Sequence, residues 1–186
     1  MKNINKSTGY FIVTMFCMAI LTFCSLKTQA QTFVSTTPEN RNVILEEFTG
    51  IYCTFCPDGH LIAQGLHDAN PNDVFLINIH TGGYSNPNGP NDPDFNCPYG
   101  SAIAANSGLA GYPAGTVNRD IISYSLSPQG SPGTIALSRG DWATEVDTVL
   151  SQISYVNVGV QASYDMSTGI LTVNTETYYT QTTTNI

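Results

Sequence analysis

The chain has 186 residues, 6 basic and 14 acidic, for a formal charge of −8. Its three lysines, Lys2, Lys6 and Lys27, all fall in the first thirty residues, so the remainder sets Arg41, Arg119 and Arg139 against every acid, a formal −11. A surface of that sign repels phosphate backbones and anionic lipid, which argues against nucleic acid as a partner.

Residues 1–30 have the layout of a secretory signal. Lys2 and Lys6 give the positive start, Phe11 to Phe23 the apolar run, and Thr28-Gln29-Ala30 a small residue ahead of a cut before Gln31. The run is too short to span a bilayer and no stop-transfer segment follows it, so the expectation is an exported protein without a membrane span after cleavage. Cys24, with Leu21 three residues upstream, raises lipid modification as an alternative, against which stands the bulky Phe23 where such signals want a small residue. Cleavage leaves 156 residues, enough for one domain with a real core and a little more. It also leaves Cys53, Cys56 and Cys97, an odd set that leaves one thiol free, buried or paired with something outside this chain.

Residues 31–42 are a polar lead-in containing Pro38. Val43 to Phe48 reads as a buried strand closed by Thr49-Gly50. Cys53-Thr54-Phe55-Cys56 follows, and Leu61, Ile62 and Leu66 then recur at helical spacing from Cys56 to His67, with Pro57 in the first turn. Asn70-Pro71-Asn72-Asp73 ends that helix. Val74 to Ile79 is nearly all apolar, which predicts a strand covered on both faces. Strand, helix and strand at this spacing make a βαβ unit.

Thr81 to Cys97, rich in Gly, Pro, Asn and Asp, has the composition of an irregular loop. Asp92 and Asp94 could contribute to a calcium site, but their spacing fits no standard loop. Pro98 to Ser107 predicts a short helix closed by Gly108, and Gly111 to Val117 a turn entering a strand. Residues 126–134 form a Ser/Pro/Gly loop. Trp142, Val146, Val149 and Leu150 mark a closing amphipathic helix. From Tyr155 the period becomes two, and Asp165 to Gly169 supplies a turn, giving a hairpin of half-buried strands. The hairpin suits the start of a second, all-β domain over 153–186. Because a lone hairpin is marginal in water, it either docks on the first domain or belongs to a longer protein.

A CxxC pair between a strand and a helix is a dithiol that can close on itself, with its first sulfur at the positive end of the helix. Three elements in order carry a family likeness: Ile44-Leu45-Glu46-Glu47-Phe48 with Cys53-x-x-Cys56-Pro57, Val74 to Ile79, and Gly108-Leu109-Ala110-Gly111-Tyr112-Pro113. Together they resemble the thioredoxin fold, an α/β architecture with a central mixed sheet flanked by helices. More narrowly, Glu47-Phe48-Thr49-Gly50 and Tyr112 to Arg119 look like the outer-membrane-associated thioredoxin-like proteins of the Bacteroidetes, often followed by β-sandwich modules. The resemblance covers about residues 42–152, which sets the thioredoxin-like domain at 43–152.

The resemblance implies Cys53 as nucleophile, its thiol pKa lowered at a helix N-terminus, and Cys56 as the resolving thiol. It implies Glu47 as a buried proton relay to Cys56, with Glu46 as the exposed neighbour on the other strand face. It also implies a cis Pro113 that leaves the Tyr112 backbone to pair with an extended substrate. The expected function is an exported thiol–disulfide oxidoreductase or redox carrier, without a cofactor, whose partners are protein thiols or disulfides and a redox partner protein. Its expected place is the periplasm, the outer membrane or the medium. Thr54-Phe55 departs from the Gly-Pro of reducing thioredoxins and leaves the redox direction open. A second reading is a non-catalytic surface-binding module that keeps the scaffold and a fixed disulfide. A third is zinc held by Cys53, Cys56, His60 and either Cys97 or His80. Cys97 itself reads as a buried, unreactive thiol more readily than as a third redox group.

Overall fold

Seven residues, Val43–Thr49, form the strand β1 from which the site is built. The computed structural model describes residues 33–121, 127–130 and 133–182, so the expected signal at 1–30 and part of the 126–134 loop lie outside the described residues. After β1 come helix α1 (Cys56–Ala69), strand β2 (Val74–His80), helix α2 (Gly100–Ser107), strands β3 (Ala114–Val117) and β4 (Leu137–Ser138), and helix α3 (Trp142–Leu150). A hairpin of β5 (Val156–Asp165) and β6 (Ile170–Tyr179) completes the order. Among the described residues, no helix is long and apolar enough to cross a membrane.

The described chain divides into two units, residues 36–157 with 179–182 and residues 33–35 with 158–178. The first is a mixed α/β unit consistent with the thioredoxin-like expectation. Its four-stranded sheet has the order β2-β1-β3-β4. β1 runs parallel to β2 and antiparallel to β3, and β3 pairs antiparallel with β4.

Alternation along β1 sends Val43, Leu45, Glu47 and Thr49 to one face and Ile44, Glu46 and Phe48 to the other. On the first face Val43 and Leu45 join Val74, Ala63 of α1 and Trp142, Val146 and Val149 of α3 in the larger core. On the second, Phe48 and Ile79 pack with Ala104 of α2 and with Ala114. Pro57 fits the first turn of α1, where no intrahelical N–H bond is lost. The Asn70 side-chain amide closes the other end by donating to Leu66 O at 3.2 Å.

Three expectations need correction. β2 is not covered on both faces: Phe75 and Ile77 are 45% and 46% exposed. β2 stands last in the sheet order, and α2 shields only the Phe48–Ile79 end of that face. The short helix begins at Gly100 rather than at Pro98. In the second unit, the strands are open on both faces, with Val158, Val160, Ile170, Leu171 and Val173 exposed rather than alternately buried. A two-stranded ribbon has no layer of its own to cover either face.

Local bonds nonetheless fix that ribbon. Gly169, at φ +70°, donates its N–H to Asp165 O at 2.8 Å. The Asp165 carboxylate accepts from the Ser167 hydroxyl and N–H, which pull its pKa down to about 2. Glu176 accepts the N–H groups of Phe33 and Val34 at 2.8 and 3.3 Å.

Candidate dithiol–disulfide site

β1 delivers the chain to Gly50, where a side chain has no room because a Cβ would strike the backbone of Tyr84. That close approach presses the 81–97 loop onto the turn before the cysteines. Tyr52 donates its N–H to Tyr84 O at 3.0 Å and its hydroxyl to Asp92. Asp92 also accepts from the N–H groups of Asn88 and Gly89, and Asp94 accepts from Asn96. Both acids raised as calcium ligands are thus local loop acceptors.

Cys53 then donates its N–H to Gly50 O at 3.1 Å, and Cys56 donates to Cys53 O at 3.3 Å. Cys53 and Cys56 are joined in a disulfide. α1 starts at Cys56, so Cys53 sits in the turn immediately ahead of the helix rather than within its first turn. Cys53 is 7% exposed and Cys56 1%. Of the two sulfur-bearing residues, Cys53 is the more reachable.

Glu47 lies under the start of α1 and is 2% exposed. Its Oε2 is 2.9 Å from His60 Nδ1, and His60 Nε2 is 3.2 Å from Thr49 Oγ1. Its Oε1 is buried without a hydrogen-bond partner among the described residues. A Cβ on Gly59 would be 2.8 Å from that oxygen and 3.2 Å from Pro113 Cβ and Cγ. Gly59 comes one turn after Cys56 on the buried stripe of Cys56, Gly59 and Ala63. The absent side chain therefore brings the orphan oxygen against the turn that carries the second cysteine. Burial pushes the Glu47 carboxyl above the usual carboxylate range, and the charge and hydrogen bond of His60 push back without cancelling it.

The Tyr112–Pro113 peptide is cis. The Tyr112 ring meets Tyr84 edge-on, with centroids 5.7 Å apart. Burial raises the Tyr112 hydroxyl pKa, and a hydrogen bond with Thr81 opposes the rise. Tyr52, Phe55 and Tyr84 are exposed on the segments next to the cysteines. The Arg139 guanidinium lies 5.9 Å from the Phe55 ring centroid and pairs with Asp58 at 2.5 Å.

Glu46 overturns its expectation. It is buried, not solvated, because Thr116 donates to its Oε2 at 2.8 Å and Arg119 clamps both oxygens. Burial raises its pKa, but Arg119 and Thr116 outweigh that and leave it below the usual value. Asn118 and Arg119, at φ +51° and +55°, fold the chain back at the end of β3 and return the guanidinium to the sheet. Asn118 secures this turn by accepting the Ile44 N–H at 2.7 Å and donating to Asn42 O at 2.9 Å.

Cys97 is also corrected, for it is free and exposed. Its carbonyl accepts the Gly100 N–H at the start of α2, which leaves the residue on the surface before the helix. The zinc ligands are not gathered: Cys53 holds Cys56, His60 holds Glu47, and the His80 ring lies 5.0 Å from Phe95. Among the described residues, no group of three or more His, Cys, Asp or Glu side chains could hold a metal ion.

His60, expected only as a candidate zinc ligand, instead holds Glu47. The available signal was helical spacing, since His60 follows Cys56 by four residues and shares its side of α1.

No protein-family model matches this chain, and no curated protein matches it. Among solved structures, HBP35 of Porphyromonas gingivalis is similar at 18% sequence identity with a TM-score of 0.44. The match covers 68% of this chain and 38% of that one.

Proposed function

We propose that this chain is an exported thiol–disulfide oxidoreductase or redox carrier of thioredoxin-like fold, with Cys53 as nucleophile, Cys56 as resolving thiol and Glu47 as proton relay. The observation that carries the reading is the unpartnered Glu47 Oε1, buried against Gly59 one turn from Cys56. A buried polar atom without a partner costs stability, so its position calls for a role that a surface carboxylate could not fill. A carboxyl with a raised pKa can give a proton to a leaving Cys56 thiolate and later take it back. The greater exposure of Cys53 gives it the attacking role, and Tyr112 and Pro113, the latter beside Gly59, are assigned to an extended protein substrate. The partners are protein thiols or disulfides and a redox partner protein. The site of action is outside the cytoplasm: periplasm, outer membrane or medium.

The test is the reduction potential of the Cys53–Cys56 pair in glutathione buffers, read by alkylation and mass. A value between about −120 and −270 mV, the span of exchange proteins, supports this reading, and a bond still closed well below about −300 mV overturns it. Cys53→Ser is expected to abolish exchange, while Cys56→Ser accumulates mixed disulfides. Equal activity of both variants and the wild type would sink the assignment.

The second reading, a non-catalytic surface-binding module with a fixed disulfide, draws on the cover over both cysteines and on exposed Tyr52 and Phe55 beside them. It predicts a reduction-resistant bond and partner binding indifferent to alkylation.

A further inference from the structure

We infer that His60 is a positioning residue for the exchange chemistry, setting from the rim of the core the pH at which buried Glu47 changes from proton donor to proton acceptor for Cys56. The inference rests on the oxidoreductase reading and adds to it the residue that tunes the relay.

The geometry divides the two carboxyl oxygens of Glu47. Oε1 faces Gly59 on the Cys56 side without a partner, and Oε2 is held by His60 Nδ1 at 2.9 Å. His60 spans the boundary between core and solvent: its side chain is 40% exposed, against 2% for Glu47. Thr49 Oγ1, itself buried, fixes the other ring nitrogen at 3.2 Å, so the imidazole is held from both sides. Burial favours the carboxyl, while the charge of His60 and its hydrogen bond to Oε2 favour the carboxylate.

Most other titratable groups nearby are paired away from Glu47. Asp58 on α1 pairs with Arg139, Glu46 on the opposite face of β1 pairs with Arg119, and Tyr112 bonds with Thr81. On α3 the charges acting on Glu145 are those of Asp120 and Arg41. His80 on β2 is the exception: its ring stands beside Phe95, but burial and then the charge of His60 lower its pKa, so it faces His60 rather than Glu47. Among the described residues, His60 supplies the neighbouring charge that acts on Glu47.

The step can be balanced with an external dithiol as reductant. One thiolate of the dithiol attacks the Cys53 sulfur, the Cys53–Cys56 bond breaks, and its electron pair leaves on Cys56, which takes the proton of Glu47. The second thiolate attacks its own partner sulfur in the mixed disulfide and releases Cys53 as a thiolate. The dithiol ends as a disulfide, two electrons have passed to the protein, and Cys53 and Glu47 each take a proton from solvent. Closure runs in reverse and needs Glu47 as carboxylate.

The experiment measures opening of the disulfide in the full chain by dithiothreitol across pH, with rates divided by the thiolate fraction of the reductant. Wild type, His60→Gln and Glu47→Gln are compared, and infrared titration of the Glu47 carboxyl is run on the closed disulfide forms. Wild type is expected to lose rate as Glu47 ionises. His60→Gln removes the opposing charge and its hydrogen bond, so the inflection moves to higher pH and opening on its basic side is faster than in wild type. Glu47→Gln removes the inflection. The infrared titration is expected to move in the same direction without any exchange taking place. If the His60→Gln titration and rate profile superimpose on wild type, the inference is overturned while the oxidoreductase reading stands. If the infrared shift occurs but dithiothreitol opens the bond at no pH, that reading falls and the inference falls with it.

Discussion

Glu46 and Glu47 are adjacent on β1, both buried, and their surroundings are opposite. Glu46 has a hydroxyl from Thr116 across the strand pair and a guanidinium over both oxygens. Glu47 has Gly115 across from it, an imidazole on one oxygen, and nothing on the other among the described residues. Burial pushes both carboxyls up, but only Glu46 receives enough compensation to end below its usual value. A fully served carboxylate is a rivet, whereas one left partly unserved is available for proton traffic.

The setting shared by the two glutamates is most vulnerable at Gly115, which lies across from Glu47. A Cβ there would sit 2.9 Å from Glu46 O and 2.9 Å from Trp142 Cε2, neither of which can yield, because one is backbone and Trp142 is fully buried. Gly115→Ala is expected to cost about 3 kcal/mol in denaturant unfolding. An unchanged midpoint would show that the Trp142 layer is softer than its packing implies.

The next effect falls on Glu46. Glu46→Gln loses charge-assisted bonds worth about 2 kcal/mol at neutral pH. Because the native carboxyl titrates below its unfolded counterpart, its contribution is present above the unfolded pKa and is lost as pH falls through the native one. The deficit of Glu46→Gln should therefore shrink in acid. A deficit independent of pH would mean that the clamp is steric.

Glu47→Gln should give the smallest change and the opposite sign. A carboxyl raised in the native state favours folding at low pH and loses that advantage as pH rises through the native value. The variant should be about 1 kcal/mol more stable than wild type at pH 8, with the gain vanishing below the ordinary carboxyl range. A loss of stability at pH 8 would show that the His60 ion pair outweighs the burial of the charge.

Much of the scaffold was legible because its signals are local. The apolar run of β1, Pro57 in the first turn of α1, and the recurrence of Trp142, Val146 and Val149 are each contained within one element. The Cys53–Cys56 spacing likewise placed the disulfide. What escaped is non-local. Strand alternation sends Glu46 away from Glu47, and with polar residues usually facing water nothing nearby announced that Arg119, 73 residues on, would return through a left-handed turn to cover it. The Thr116-Val117-Asn118-Arg119 run carried the family resemblance without an evident role, and its role proves to be bracing β1. The Glu47–His60 pair needs the docking of α1 on the sheet, which helical spacing constrains but does not fix. The exposure of Phe75 and Ile77 follows from where β2 falls in the sheet order, which an apolar run does not encode.

Each of the three arginines is engaged with a carboxylate: Arg41 with Asp120, Arg119 with Glu46 and Arg139 with Asp58. Residues 31–186 contain no lysine, so their formal −11 acts at a distance with its fixed guanidinium counter-charges already spent close to acids. Basic partners are drawn in and acidic ones slowed before any surface touches, over a reach of about 8 Å at an ionic strength of 0.15 M. The saltiness of the surrounding medium thereby becomes a selector of encounters, sharpening the preference for basic partners when dilute and erasing it when concentrated.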